Sequence, residues 1–202
     1  MIKINEKVYQ FEKTAVSSIY FILDGDEATI VDTGMVGDLA KMKNQLKDFD
    51  LKIHQINNII ITHHHFDHTC NLKRIAQASG AKVYVHEGDY DEIADKVDEK
   101  NTVKLHDGDV VPILGGLETI HVKGHTDGTM SLYSKEYKML IAGDCIFNNK
   151  TVALPPVQYN KDTDAFMENV KKLLKYDIEI ILPGHGQYID DKCNEIIKKL
   201  TK

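Results

Sequence analysis

Ile59-Ile60-Ile61-Thr62-His63-His64-His65-Phe66-Asp67-His68 is the stretch on which the reading of this chain turns. The three isoleucines read as a short buried strand. Downstream, Leu72, Ile75 and Ala76 recur at helical spacing, with Gly80 placed to end the helix as a C-cap. The histidines therefore occupy a loop that leads from a strand into a helix. Side chains two apart on extended backbone point the same way, so His63 and His65 can share one metal ion. Asp67 and His68 are neighbours that diverge, which suits a second ion a few ångströms away. Neutral imidazoles with a carboxylate are borderline donors suited to zinc, and iron, manganese and cobalt also accept them. A mere run of surface histidines would account for neither the aspartate nor the buried strand before it.

Working outward, three more apolar runs lead to residues of the same kind. Ile120 and Val122 share one face of a strand that runs into Gly124-His125-Thr126; His121, on the other face, is read as structural. The run Met139 to Ala142 ends in Gly143-Asp144. The run Ile178 to Leu182 ends in Pro183-Gly184-His185-Gly186. Strand ends at one edge of a sheet bring such loops together although they are far apart in the chain. Each of His125, Asp144 and His185 is a weak signal alone. With the histidine loop they give seven candidate ligands, His63, His65, Asp67, His68, His125, Asp144 and His185, a set that suits two ions bridged by a carboxylate.

The remaining segments supply a frame. Residues 2 to 31 read as strands, with Asp24-Gly25-Asp26 as a hairpin turn. Asp32-Thr33-Gly34 is either turn chemistry or support for the metal ligands. A helix is expected from Val36 to about Phe49, and a strand over Lys82 to His86, with His86 capping or lining a loop. Residues 88 to 100 are acidic and weakly helical. Gly115-Gly116 opens a hairpin, a loop with Pro155 and Pro156 covers Asn148 to Asn160, a helix follows at about Asp162 to Lys175, and a last helix carries Ile189, Cys193, Ile196, Ile197 and Leu200 on one face. No linker or repeat interrupts this order, so one domain over residues 1 to 202 is expected.

Composition narrows the function classes. With 202 residues, 42% hydrophobic and 28% charged, the chain has enough material for a packed core. A net charge of −6 and a lone arginine, Arg74, argue against nucleic acid and against a bidentate clamp on phosphate. Arg74 is expected on a solvated helix face. Cys70, Cys145 and Cys193 have no CxxC spacing and do not form a disulfide framework. No signal-peptide core or membrane-length apolar run stands in the sequence, so a cytoplasmic protein acting on a small molecule, without membrane or nucleic-acid partners, is expected.

The ligand order resembles the metallo-β-lactamase superfamily. Its HxHxDH motif stands as His63, His65, Asp67 and His68, followed by Gly-His at His125, Gly-Asp at Asp144 and Pro-Gly-His-Gly at His185; Asp32-Thr33-Gly34 matches its early turn. The resemblance implies an α/β (α+β) fold, a four-layer αββα sandwich with the site at one edge. It also implies that His63, His65 and His125 hold one ion, that Asp67, His68 and His185 hold the other, and that Asp144 bridges them, two zinc ions being expected.

Departures from the subfamilies sharpen this. Phe147 stands where β-lactamases of the commonest metal-dependent type carry Lys and lactonases typically carry Tyr. Gly143-Asp144-Cys145-Ile146-Phe147 is similar to the glyoxalase II pattern, although the chain is too short for that group's helical C-terminal domain. His65 replaces the Glu usual in flavodiiron proteins. The expected activity is a glyoxalase II-like hydrolase in which a hydroxide between two ions cleaves an ester, thioester or lactone, with Asp67 orienting it. Cys145 is expected to be a buried thiol, His64 to give support from behind the ligands, and Tyr159 to be an exposed loop aromatic. The competing readings are a mononuclear iron persulfide dioxygenase using His63, His125 and Asp144, and a non-catalytic scaffold.

Overall fold

The structure, a computed structural model, describes residues 1–202. Its first sheet follows chain order: β1 (Ile2–Lys3), β2 (Val8–Gln10), β3 (Tyr20–Asp24), β4 (Glu27–Val31), β5 (Asn58–Ile61), β6 (Lys82–His86) and β7 (Thr102–Leu105). The second contains β8 (Val110–Val111), β9 (Leu117–His121), β10 (Met130–Ser134), β11 (Met139–Asn148) and β12 (Val152–Ala153), with β13 (Ile180–Gly186) paired parallel to β11. The helices are α1 (Asp38–Gln45), α2 (Phe66–Thr69), α3 (Leu72–Ser79), α4 (Glu87–Ile93), α5 (Thr163–Asn169) and α6 (Cys193–Leu200).

The layers follow from strands that are apolar on both faces. In β5, Ile59 and Ile61 pack with Met42 of α1 and with Leu72 and Ile75 of α3, whereas Ile60 joins Leu132, Met139, Ile141 and Leu182 of the second sheet. On the other side, Leu140 and Ile181 turn away from that interface towards Phe166 of α5 and Ile197 of α6. Successive side chains thus serve opposite cores, giving the αββα stack. The run of isoleucines lacks the polar alternation of a half-exposed strand because both its faces are covered.

This topology gathers strand ends. β4, β5, β6 and β7 are parallel, so β4, β5 and β6 deliver Asp32, the histidine loop and α4 to one edge. Ser18 N–H donates to Gly184 C=O at 2.7 Å and Met130 N–H to Thr62 C=O at 3.0 Å, tying the two sheets together beside that edge.

Several boundaries differ from the sequence reading. β11 runs on through Asp144, and β13 through His185, rather than stopping before them. Register shifts between Ile141, Gly143 and Phe147 let β11 continue while re-aiming its side chains. Gly143 adopts φ +53°, and a Cβ there would come within 2.8 Å of Thr62 Cβ, so a side chain would meet both strain and a clash. Asp67 and His68 lie in the one-turn helix α2 rather than in extended loop. The helices expected at 36–49 and 162–175 each close in a 3-10 turn, at Leu46–Phe49 and Val170–Lys175. β10 had no counterpart in the reading: its serines broke the apolar pattern, yet all five of its residues are buried.

Candidate metal centre

The seven predicted side chains converge. One donor atom from each of His63, His65, His125 and Asp144 lies within 4.8 Å of the others, and the same holds for Asp67, His68 and His185. Asp144 faces both groups. Its Oδ2 lies 3.2 Å from His125 Nε2 and 3.7 Å from His63 Nε2, while its Oδ1 lies 3.2 Å from both His68 Nε2 and His185 Nε2. Asp67 Oδ2 stands 3.6 Å from His68 Nε2 and 3.5 Å from His185 Nε2.

The imidazoles are aimed from behind. Thr62 Oγ1 donates to Asp32 Oδ2 at 2.8 Å and so accepts from His63 Nδ1 at 3.1 Å, leaving His63 Nε2 with its lone pair towards the centre. Asp32 also accepts from His68 Nδ1 at 2.8 Å and from Thr62 N–H at 2.9 Å. Asn160 Oδ1 accepts from His125 Nδ1 at 2.9 Å. Fixing one ring nitrogen sets both orientation and tautomer of the other, the usual device behind metal-binding histidines. Of the two roles open to Asp32, support for the ligands is the one its contacts display.

A further carboxylate joins the two ligand loops. Asp89, fully buried at the start of α4, accepts from His64 N–H at 2.8 Å, Thr126 Oγ1 at 2.7 Å and Gly128 N–H at 2.7 Å, and its Oδ1 lies 3.1 Å from His64 Nδ1. It holds the segment bearing His65 against the segment bearing His125. Sequence reasoning assigned no role to Asp89 or Asn160, because one lies in an acidic stretch and the other in a proline loop, with no local pattern to mark either.

The donor set fits cations. His68 Nε2, His125 Nε2 and Asp144 Oδ1 are buried, converge, and have no hydrogen-bond partner. Buried polar atoms that converge unpaired are what a bound cation would satisfy, displacing the proton that the flanking carboxylates favour on His68. Burial and the neighbouring imidazoles hold His63 well below the usual histidine range, and burial with His125 pushes His65 down to about 4, so both are neutral donors at pH 7. Burial alone would lower His68 as well, but Asp144 and Asp32 on either side outweigh it and raise that histidine well above its ordinary value. Burial disfavours the Asp144 anion too, yet His68 and His63 beside it keep its carboxyl well below the normal range.

The remaining candidates fall into place around the centre. His64 faces Asp89, as its supporting role required. His86 Nδ1 accepts from Gly88 N–H and caps α4, and its ring stacks on His121 with centroids 3.8 Å apart; both lie outside the two ligand groups. Cys145 is fully buried with its sulfur 3.3 Å from Ser131 Oγ, and burial pushes the thiol up to about 12, so it is not a nucleophile at neutral pH. Arg74 is exposed on α3. The centre opens into a cleft of about 590 Å³, lined also by Val16, Phe66, Phe147, Asn149, Pro156 and Tyr159. No helix is long and apolar enough to cross a membrane.

Comparisons agree with this geometry. The family model of the metallo-beta-lactamase superfamily matches residues 14–185. The chain is 27% identical over 188 residues to the probable metallo-hydrolase YqgX of Bacillus subtilis (strain 168), covering 86% of this chain and 87% of that one. It is 34% identical over 93 residues to the hydroxyacylglutathione hydrolase of Ectopseudomonas mendocina (strain ymp), covering 46% of this chain but only 34% of that relative. Among solved structures, a metallo-beta-lactamase family protein from Thermus thermophilus superposes with a TM-score of 0.81 at 19% identity, over 98% of this chain and 79% of its own. Fold, ligand order and family match agree, and the chain belongs to the metallo-beta-lactamase superfamily.

Proposed function

We propose that this protein is a metal-dependent hydrolase that cleaves an ester, thioester or lactone of a small molecule, with two ions held by the seven side chains. The observation that carries the reading is Asp144, whose single carboxylate reaches both histidine groups, with Oδ2 3.2 Å from His125 and Oδ1 3.2 Å from His68 and His185. His63, His65 and His125 would hold one ion, Asp67, His68 and His185 the other, and Asp144 would bridge them. Two divalent ions in such a site polarise a carbonyl and lower the pKa of water towards ~7. Zinc suits these donors best, with iron or manganese compatible.

The chain's own residues then have defined tasks. The Asp67 side chain is about one quarter exposed to the cleft, so one oxygen can bind while the other orients the attacking water and holds its proton. Water adds to the acyl carbon, the C–O or C–S bond breaks, and the alcohol or thiol leaves with a proton taken from solvent. The products are the carboxylate, the leaving group and one released proton. Phe147 packs against His185 with ring centroids 4.3 Å apart and shields the inner wall of the cleft from water. Relatives named as metallo-hydrolases support hydrolysis in general, and the partial match to a hydroxyacylglutathione hydrolase supports an acyl-transfer substrate.

The mononuclear iron reading leaves the gathered Asp67, His68 and His185 without a task, and nothing in the site favours it. The test is a screen of metal-analysed protein against thioesters, lactones, phosphodiesters and β-lactams. Turnover of an ester, thioester or lactone that is lost with a chelator and regained with metal is expected. Oxygen uptake with a persulfide, and no hydrolysis of any acyl substrate, would overturn the proposal.

A further inference from the structure

Three of the seven exposed large apolar side chains of the whole protein, Val16, Phe66 and Tyr159, line this one cleft. They belong to three separate segments: the turn before β3, the start of α2, and the proline loop. Phe147 and Pro156 extend the same surface, whereas no lysine or arginine lines it. Its two carboxylates, Asp67 and Asp144, both belong to the candidate ligand groups. Exposed apolar groups scattered singly need no explanation, but groups from distant segments collected around a reactive centre mark a binding surface.

From this surface, and resting on the hydrolase reading above, we infer that the substrate is a neutral ester or thioester with an apolar acyl chain, and that anionic acyl groups are discriminated against. A methylene chain laid against Phe66, Tyr159 and Val16 leaves water for an apolar wall and gains by it. With its acyl carbonyl at the ligand side chains, a chain ending in a carboxylate would bury that group against Phe66 and Tyr159, and no lysine or arginine lines the cleft to pair it. Lys13 lines an adjoining groove that shares Val16 and Asn149 with this one, so any anionic substrate would have to extend there. Glutathione conjugates carry carboxylates, which sets the expected substrate apart from that of the hydroxyacylglutathione relatives.

The test uses a matched pair, p-nitrophenyl hexanoate and mono-p-nitrophenyl adipate, whose acyl chains differ by a terminal methyl against a terminal carboxylate. The metal-loaded protein should show a kcat/KM at least about tenfold higher for the hexanoate, since a missing or unpaired polar partner is worth that factor or more. Phe66→Lys should narrow the ratio towards one, with metal content unchanged. As a readout that needs no turnover, hexananilide should bind the metal-free protein by calorimetry, and Phe66→Ala or Tyr159→Ala should weaken that binding about tenfold. Equal or faster cleavage of the adipate overturns the inference and leaves the hydrolase reading standing. If neither ester nor its thioester counterpart is cleaved, the hydrolase reading fails, and the cleft assignment is decided by the anilide: binding lost on Phe66→Ala upholds it, and absence of binding overturns it.

Discussion

Replacing Asp89 by alanine tests whether one buried carboxylate holds two ligand loops together. The carboxylate accepts from His64 N–H, Thr126 Oγ1 and Gly128 N–H, all at 2.7–2.8 Å and all inside the protein. Alanine would leave those donors unpaired, at about 1–3 kcal/mol each. The terms share one site and do not simply add, so a total of about 3–5 kcal/mol is expected. With a urea dependence of about 2 kcal/mol per molar, the unfolding midpoint of the metal-free protein should fall by about 1.5–2.5 M. Asp89→Asn keeps the shape and one acceptor oxygen and should lose less. Because Asp89 fixes the segments bearing His65 and His125, competition with a chelator should show affinity at that group falling by about 10–100-fold in Asp89→Asn. The group of Asp67, His68 and His185 should change much less. A loss of under about 0.5 kcal/mol in Asp89→Ala, or equal weakening of both groups in Asp89→Asn, would refute the reasoning.

Other outcomes follow from the same contacts. Asp144→Ala should abolish tight binding at both groups, since its one carboxylate reaches both; elemental analysis of the variant would contradict this if one ion remained at full occupancy. Asp67→Asn should cut kcat at least about 10²-fold on a responsive ester or thioester, while Cys145→Ser, at a buried thiol pushed up to about 12, should change it little; the reverse pattern with metals retained would point to a cysteine nucleophile. Burial, then the stacked His121, pushes His86 from 6.5 down to about 4. Stability from this group is therefore present above pH 6.5 and lost as pH falls towards 4, because the unfolded chain takes up a proton the folded one refuses. The loss should be about 1–2 kcal/mol after allowing for solvent screening. His86→Asn, which keeps an acceptor for the cap, should lack that loss in denaturation of metal-free protein at pH 7 and pH 4.5. Identical pH dependence of the two proteins would reject it.

How far the sequence could be read depended on whether a residue's role is local. The faces of Ile59, Ile60 and Ile61 follow from backbone geometry, so β5 and the helix that covers it were legible. Metal ligands announce themselves by residue type, and all seven expected side chains gather in the structure. Ser131 hid β10 for the opposite reason: a buried hydroxyl that donates to Ala142 C=O at 2.9 Å reads as a loop until its partner is known. Asp89 and Asn160 take their meaning from donors 25 to 39 residues away, which no pattern within a window could disclose. The continuation of β11 past Gly143 was likewise hidden, because it depends on pairing with β13, a partner late in the chain.

The central claim is that two ions, bridged by Asp144, do the hydrolytic work. Zinc should therefore be titrated into rigorously metal-free protein while ester or thioester hydrolysis and bound metal are followed in the same sample. The account predicts that activity reaches its plateau at two equivalents per chain, with Asp144→Ala reaching none. Full activity at one equivalent, with no further gain or binding at the second, would contradict it.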